Sequence, residues 1–416
     1  MRLRIHIINN FYSLNLGWAL LVISTLRFLG KNFQKITCTI ESLHPQLDSK
    51  VYSMCDTIEP LKSNFKTLTS SLIRAILWRI FHGVGVELDG IISVEPLNSL
   101  RKADVVIDLS GDGLCPARSV SLSYRFKRLI STFTNLLSIL VAILLGKKVI
   151  LFSSSICDLG LLEPIAIAIL KRAVLIVVRD RHSLEYLAKL GIKHNVVLAT
   201  DVVFSLEPLV KNAEKELTIC ICPSYEASKF FYKLNLEEIK NLYVKLVKYL
   251  VMKYGVRVKF IPLSLGGRWN HEDDRVLIRE IIENMDRDVL EHVDVDIVWN
   301  PKPNEIVEEF SNCKLSIVSR MHSAILSLIN SVPTIMITHS SKFETISDLF
   351  EECIVRIDAE KLDFENLVEK IDFLMNKSVL CKNYIDSKLL EARKLSYKGF
   401  DALMEIMRKS FEQDPK

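Results

Sequence analysis

Arg320 and His322 stand one residue apart where an apolar strand pattern, KLSIVS, gives way to a helix pattern, SAILSLIN, and then to a second strand run, VPTIMIT. A strand-to-helix turn aims backbone N–H groups outward at the positive end of the helix dipole, so an anion is favoured there. Arg320 adds a full charge to such a turn, Ser323 a hydroxyl, and His322 a group able to give or take a proton near neutral pH. The dipole disfavours imidazolium while a bound anion favours it, so the two effects oppose each other at His322. A lone histidine is more often structural. Arginine and histidine together at one turn point to chemistry.

Other strand ends carry residues of the same kind. In VLIVVRDRHSLEYLAKLGI, residues 174–192, Arg179 and Asp180 close a strand, Arg181 follows, and Ser183 is placed to cap a helix with Leu184, Leu187 and Leu190 as its buried stripe and Gly191 as its stop. An arginine fork binds carboxylate or phosphate through two parallel hydrogen bonds, and an ion pair with a nearby carboxylate is the plainer alternative. Lys342, after PTIMITHSS, is placed to reach a phosphate, or is an ordinary surface lysine. ADVVIDLSGDGL ends in Ser110, Gly111, Asp112 and Gly113, a turn that lets backbone approach a phosphate or sugar closely, but no GxGxxG follows and a simple crossover turn fits equally. The N-terminal INNFYSLNLGWALL repeats the plan with Asn9, Asn10 and Gly17. The loop PLSLGGRWNHEDDR offers His271, Asp273 and Asp274, either to a substrate or to solvent.

The elements that must hold these residues are short β-branched runs alternating with helical patterns. Twelve such runs are LRIHII, KITCTIE, ADVVIDLS, KKVILFSS, VLIVVRD, NVVLATDVV, LTICICP, VRVKFIPLS, DVDIVW, LSIVS, PTIMIT and CIVRID. Continuous apolar strands separated by helices mean parallel sheets covered on both faces. The chain of 416 residues exceeds the size at which single cores stop growing. The expectation is an α/β protein of two doubly wound, Rossmann-like domains, 1–208 and 215–385, divided in the polar segment LEPLVKNAEKELT, with a helical tail from 386 to 416. In open sheets of this kind ligands lie outside the carboxyl ends of the strands, where all the residues above are found.

Composition narrows the partners. With 54 basic and 50 acidic residues, a net charge of +4 and no long run of either sign, the chain shows no footprint for nucleic acid. Nine cysteines without CxxC or zinc spacing are expected as free thiols, with Cys220 and Cys222 in the core, and no metal site is expected. The stretch 129–146, LISTFTNLLSILVAILLG, is short for a bilayer span, rich in Ser and Thr, and feeds the next strand, so it is expected as a buried helix, with peripheral membrane contact left open.

Taken together, these segments resemble the polysaccharide pyruvyl transferase family. VRDRHSLEYLAKLG matches its strand-to-helix segment at Arg179, Asp180, Ser183 and Gly191, and SRMHSAILSLINSVPTIMI matches its Arg-x-His segment at Arg320, His322 and Pro333, with Lys342 following. DVVIDLSGDGL resembles the family's glycine loop and NVVLATDVVF its aspartate segment, at Asp201. The chain departs from the pattern at Asp112, which replaces the middle of a triple glycine, at Cys157 and Asp158 in a segment commonly Ser-Ile-Gly-Pro, and at Trp18 after Gly17.

The resemblance implies a fold like that of GT-B glycosyltransferases and transfer of pyruvate from phosphoenolpyruvate onto two sugar hydroxyls as a cyclic ketal, in cell-surface glycan synthesis. The donor side would be the C-terminal domain and the acceptor side the N-terminal one, with the acceptor nucleotide- or lipid-linked. Phosphoenolpyruvate is a donor substrate, no cofactor is implied, and the expected location is the cytoplasm, at or near the inner face of the membrane. Arg179, Arg320 and Lys342 would meet the donor's carboxylate and phosphate, and His322 would supply a proton. Two other readings stand beside it: a GT-B glycosyltransferase using a nucleotide sugar, for which no paired-glutamate segment is visible, and a noncatalytic glycan- or phosphate-binding relative, suggested by Asp112, Cys157 and Asp158.

Overall fold

Runs such as VVID and LIVV have no polar face to turn toward water and must be covered on both sides, which parallel sheets with crossover helices achieve. The computed structural model describes residues 3–10, 12–86, 89–116, 121–207, 217–267, 272–294, 303–339 and 343–412. Among them the first sheet consists of β1 (Leu3–Ile8), β2 (Ile36–Glu41), β3 (Cys55–Ile58), β4 (Val105–Asp108), β5 (Lys148–Ser154), β6 (Leu175–Val178) and β7 (Val196–Leu198). The second consists of β8 (Thr218–Cys222), β9 (Arg257–Phe260), β10 (Val293–Asp294), β11 (Cys313–Val318), β12 (Thr334–Thr338) and β13 (Ile354–Asp358). The spatial orders are β3-β2-β1-β4-β5-β6-β7 and β10-β9-β8-β11-β12-β13, and every pairing between named strands is parallel. Each sheet is doubly wound. Strand order reverses between β1 and β4 in one and between β8 and β11 in the other, and these are the two places where ligands gather in such sheets.

The chain divides into two compact units: Met1–Ser13, Leu20–Val202 and Leu395–Lys416 in one, Leu14–Ala19 and Val203–Lys394 in the other. The division falls at Val202/Val203, where 208 was expected. The helix at the C-terminus runs Phe364–Glu412 and so begins before the expected tail. Within the second unit its Asp372 accepts hydrogen bonds at 2.6 Å from Tyr249 Oη, Tyr254 Oη and Lys253 Nζ. Within the first unit its Phe400 stacks on Phe28, 4.1 Å between ring centres. A side chain at Gly399 would come within 3.1 Å of Ala199 and 3.0 Å of Val177, so glycine lets the helix lie close.

Local signals start and stop the helices. Asn235 and Glu238 form a reciprocal capping box at the start of Leu236–Tyr254, and Gly255, at φ 60°, ends it. Asp180, not Ser183, caps the helix Arg181–Lys189 by accepting from the Ser183 N–H at 2.7 Å. Of that helix's expected stripe Leu187 is fully buried and Leu184 and Leu190 half-buried.

Two expectations from composition are corrected or refined. Eight of the nine cysteines are disulfide-bonded, Cys38–Cys55, Cys115–Cys157, Cys220–Cys313 and Cys353–Cys381, leaving Cys222 free and buried. Cys38 and Cys55 are register partners on β2 and β3, while the other partners lie 28 to 93 residues apart in sequence, so spacing along the chain does not reveal the pairs. The 129–146 stretch is the greater part of the helix Leu122–Leu144, which by length and composition could cross a membrane but whose Leu136, Leu137, Ile139, Val141 and Ala142 are buried in the first unit.

Candidate functional site

At the switch point of the first sheet, Asp108 ends β4 with its carboxylate inside the protein. It accepts from Asn9 Nδ2 at 2.5 Å, from Ser110 Oγ at 2.6 Å and from the Ser110 N–H at 3.2 Å. Asn9, at φ 60°, holds a left-handed backbone that asparagine tolerates. Its Oδ1 accepts from Lys62 Nζ at 2.8 Å, and Lys62 also donates to Asn135 Oδ1. Asn135 Nδ2 in turn donates to the Gly113 carbonyl at 2.9 Å. Burial pushes the Lys62 ammonium down to about 7, against the pull of Asp108 and Glu41. Burial likewise raises Asp108, although Ser110, Asn9 and Lys62 act in the other direction. A side chain at Gly113 would come within 2.5 Å of Ser110 Cβ and 2.6 Å of Asn135 Nδ2, so the turn is closed against substitution. The sequence reading named Asn9, Asn10 and 110–113 but not Lys62 or Asn135. Its one signal for Asn135 is a polar residue in an apolar helix that needs a partner when buried.

Farther along the same sheet Arg179 is buried after β6, its Nη1 2.6 Å from Asp201 and its Nε donating to Ser155 Oγ at 3.0 Å. Arg179 therefore has the ion-pair partner of the plainer reading, and that partner is Asp201. Ser183 is buried and accepts from the Ile156 N–H at 2.8 Å, while Arg181 is exposed at the helix start. The departures have local partners too: Cys157 bonds to Cys115, Asp112 lies 3.9 Å from the Arg128 guanidinium, and Asp158 accepts from the Gly160 N–H at 3.0 Å.

The second switch point gathers Arg320, His322 and Ser323 with residues after β8 and β9. Arg320 is the N-cap residue of the helix Met321–Ile329, and its own side chain makes no capping hydrogen bond. Its guanidinium grips Asp274 through two bonds of 2.7 Å, with Glu226 3.9 Å from Nη1. Asp274 is fully buried and also accepts from the backbone N–H groups of Tyr225, Leu263 and Ser264 at 3.1, 3.2 and 2.9 Å. Arg320 is thus fixed in place by a carboxylate that is itself fixed. Beside it Tyr232 donates to Ser319 Oγ at 2.7 Å, and burial keeps that phenol protonated far above neutral pH. Burial raises the Cys222 thiol well above its ordinary value, Ser323 acting weakly against it, so Cys222 is no thiolate nucleophile.

His322 meets a segment from the far end of the chain. Leu14–Ala19 belongs to this unit, with Leu16 N–H donating to the Leu263 carbonyl at 3.0 Å and Leu265 N–H to the Leu14 carbonyl at 2.9 Å. That places Gly17 against the imidazole. A Cβ there would overlap Nδ1 and come within 2.9 Å of Cγ, so the ring lies directly on glycine backbone. Asp273 caps the helix Asp274–Glu283 and pairs with Arg275 at 2.7 Å. Lys342 and His271 lie outside the described residues, and among those described no group of His, Cys, Asp and Glu could hold a metal ion.

Two doubly wound parallel sheets with polar clusters at their switch points define a protein with the GT-B-like architecture of glycosyltransferases and sugar-nucleotide epimerases. Over its whole length the chain is similar to a UDP-N-acetylglucosamine 2-epimerase, described as putative, from Listeria monocytogenes, with a TM-score of 0.60, 10% identity and 98% of that chain covered. A glycosyltransferase from Rickettsia africae matches over 99% of this chain and 100% of its own, with a TM-score of 0.54 and 14% identity. Anabaena Alr3699/HepE in complex with UDP matches over 98% and 100%, with a TM-score of 0.56 and 7% identity. At these identities the likeness is one of fold, and no curated protein matches the chain. The chain belongs to the polysaccharide pyruvyl transferase family, whose model matches residues 15–341. Membership places it among transferases, and the matched stretch takes in the second switch point and the residues of the first from Lys62 onward.

Proposed function

We propose that this protein transfers pyruvate from phosphoenolpyruvate to two hydroxyls of a sugar, forming a cyclic ketal and releasing phosphate, in cell-surface glycan synthesis. The observation that carries the reading is the start of Met321–Ile329, a strand-to-helix turn at the second switch point with Arg320 at its N-cap and His322 in its first turn. Backbone N–H groups at such a start take a phosphate or carboxylate, and Arg320, held by Asp274, supports its charge. Lys342 is the further cation proposed for the donor, and Arg179 with its partner Asp201 the buried support of the neighbouring loops.

In this scheme His322 gives its proton to the methylene carbon of the enol. The cationic centre left at the adjacent carbon is attacked by the first hydroxyl, phosphate departs, and the second hydroxyl closes the ketal. Each hydroxyl loses its proton as it bonds, so one proton enters at carbon and two leave from oxygen, of which one restores His322 and the other departs with the phosphate. A reaction that creates charge at carbon needs fixed dipoles more than mobile ones, and a ring seated on glycine backbone meets that need. We place the reaction in the cytoplasm, with a nucleotide- or lipid-linked acceptor.

The test is incubation with phosphoenolpyruvate and a panel of nucleotide- and lipid-linked sugars, following phosphate release together with the mass of the glycan. Addition of a pyruvyl ketal is expected, with turnover lower by about 100-fold or more in His322→Ala and donor affinity retained. Arg320→Ala is expected chiefly to weaken donor binding. Failure to bind phosphoenolpyruvate, or transfer of a sugar from a nucleotide donor instead, would overturn the proposal.

A further inference from the structure

Among the described residues the helix Phe65–Gly83 is buried along one side, yet large apolar residues also line the side away from the core. Leu68, Ser71 and Ala75 face the core, and Leu72 and Trp78 pack against it. On the opposite side Phe65, Ile73 and Ile80 are 68%, 57% and 57% exposed, in a stripe continued by Ile76, Leu77 and Val84. The helix Leu122–Leu144, which packs against it, carries a second stripe at helical spacing: Leu122, Phe126 and Ile130 are 77%, 64% and 46% exposed. Isolated exposed apolar side chains are ordinary, but two stripes on neighbouring helices mark a contact surface.

Charge selects the partner. No Asp or Glu occurs between 63 and 86, where Lys66, Arg74 and Arg79 fall, nor between 113 and 157, which holds Arg125, Lys127 and Arg128. In a chain with 50 acidic residues and a net charge of only +4, two acid-free stretches meeting in one helix pair concentrate positive charge there. Lys66, Arg79, Arg125 and Lys127 are exposed beside the stripes. A second copy meeting this face with its own would set like charges together, whereas an anionic lipid surface accepts both the apolar side chains and the cations. The middle of Leu122–Leu144 is buried in its own unit, so the helices would lie on a bilayer and not cross it.

We propose that the helices Phe65–Gly83 and Leu122–Leu144 form a docking face for an anionic membrane, with Phe65, Ile73, Ile80, Leu122 and Phe126 entering the headgroup boundary and the flanking lysines and arginines holding the lipid phosphates. The inference is independent of the reaction proposed above, because none of these side chains belongs to either switch point.

Sedimentation of the full chain with phosphatidylcholine vesicles, with and without phosphatidylglycerol, tests it. Binding is expected only to the anionic vesicles and is expected to weaken as salt is raised. The double variant Ile73→Glu/Ile80→Glu should lower the affinity about tenfold or more. Lys66→Gln and Arg79→Gln should each lower it about five-fold, with unchanged circular dichroism and thermal unfolding. No binding to anionic vesicles, equal binding to both compositions, or full binding by the double glutamate variant would overturn the proposal. So would a dimer that separates in that variant, since the stripes would then belong to a second copy.

Discussion

At the first switch point Lys62, Asn9, Asp108 and Asn135 hydrogen-bond one another, whereas at the second Arg320, the N-cap residue of the helix that holds His322, turns its side chain to Asp274. The strand order around the two places is the same. In the first, polar groups meet polar groups and burial drives both the lysine and the aspartate toward their neutral forms. In the second, one carboxylate takes five hydrogen bonds, two from Arg320 and three from backbone, and holds the guanidinium beside the helix start. Topology therefore supplies two equivalent positions, and side chains decide which is a packed network and which is an anchored turn, the one proposed to be reactive.

That contrast can be broken most strongly at Asp274. Asp274→Ala leaves Arg320 and three backbone N–H groups without their acceptor, and is expected to cost about 3–5 kcal/mol in urea-induced unfolding. A loss below about 1 kcal/mol would mean that Asp274 does not organise the second site. Gly17→Ala is expected to displace the His322 ring and lower turnover about tenfold with little change in donor affinity. Combined with His322→Ala it should add nothing further, and an additive loss would separate Gly17 from the histidine.

At Lys62 the expected effect lies in the pH dependence of stability and not in turnover. The unfolded chain keeps the Lys62 proton up to its ordinary value of 10.5, the folded chain only up to about 7. Folding therefore expels a proton between those values, so this residue makes stability rise with pH across that window and exacts its full penalty below it. Lys62→Met should flatten the slope of unfolding free energy against pH between about 7 and 10.5, and an unchanged slope would place the ammonium in contact with solvent.

The strands were legible because each apolar run had to be covered on both faces, and eleven of the thirteen described strands match such runs. Of DVDIVW, residues 294–299, only Asp294 belongs to a described strand, β10, and residues 295–299 lie outside the described residues. The strand that was missed, β3, is a four-residue sheet edge, CDTI, whose Asp56 and Thr57 dilute its pattern. Arg320 and His322 were legible because charged residues interrupt an apolar strand–helix junction. The partner of Arg320 was not: Asp274 lies 46 residues earlier, in a loop whose other acids looked equally suited to solvent. Cysteine pairing was hidden for a related reason, since parallel neighbours are distant in sequence. The first network was half visible, Asn9 and the glycine turn by position, Lys62 and Asn135 only through contacts that folding creates.

The place of Gly17 beneath His322 also has a consequence for how the chain is made. Residues 14–19 are synthesised well before Val203, yet they complete the unit that otherwise begins there. Domains tend to fold as they emerge, but the first unit also needs Leu395–Lys416, so each unit waits for stretches of chain made far apart in time. The ring of His322 is seated only when a segment synthesised early meets one synthesised late. A truncation or a fusion that strains residues 14–19 should therefore yield a folded protein in which the turn at His322 is disordered.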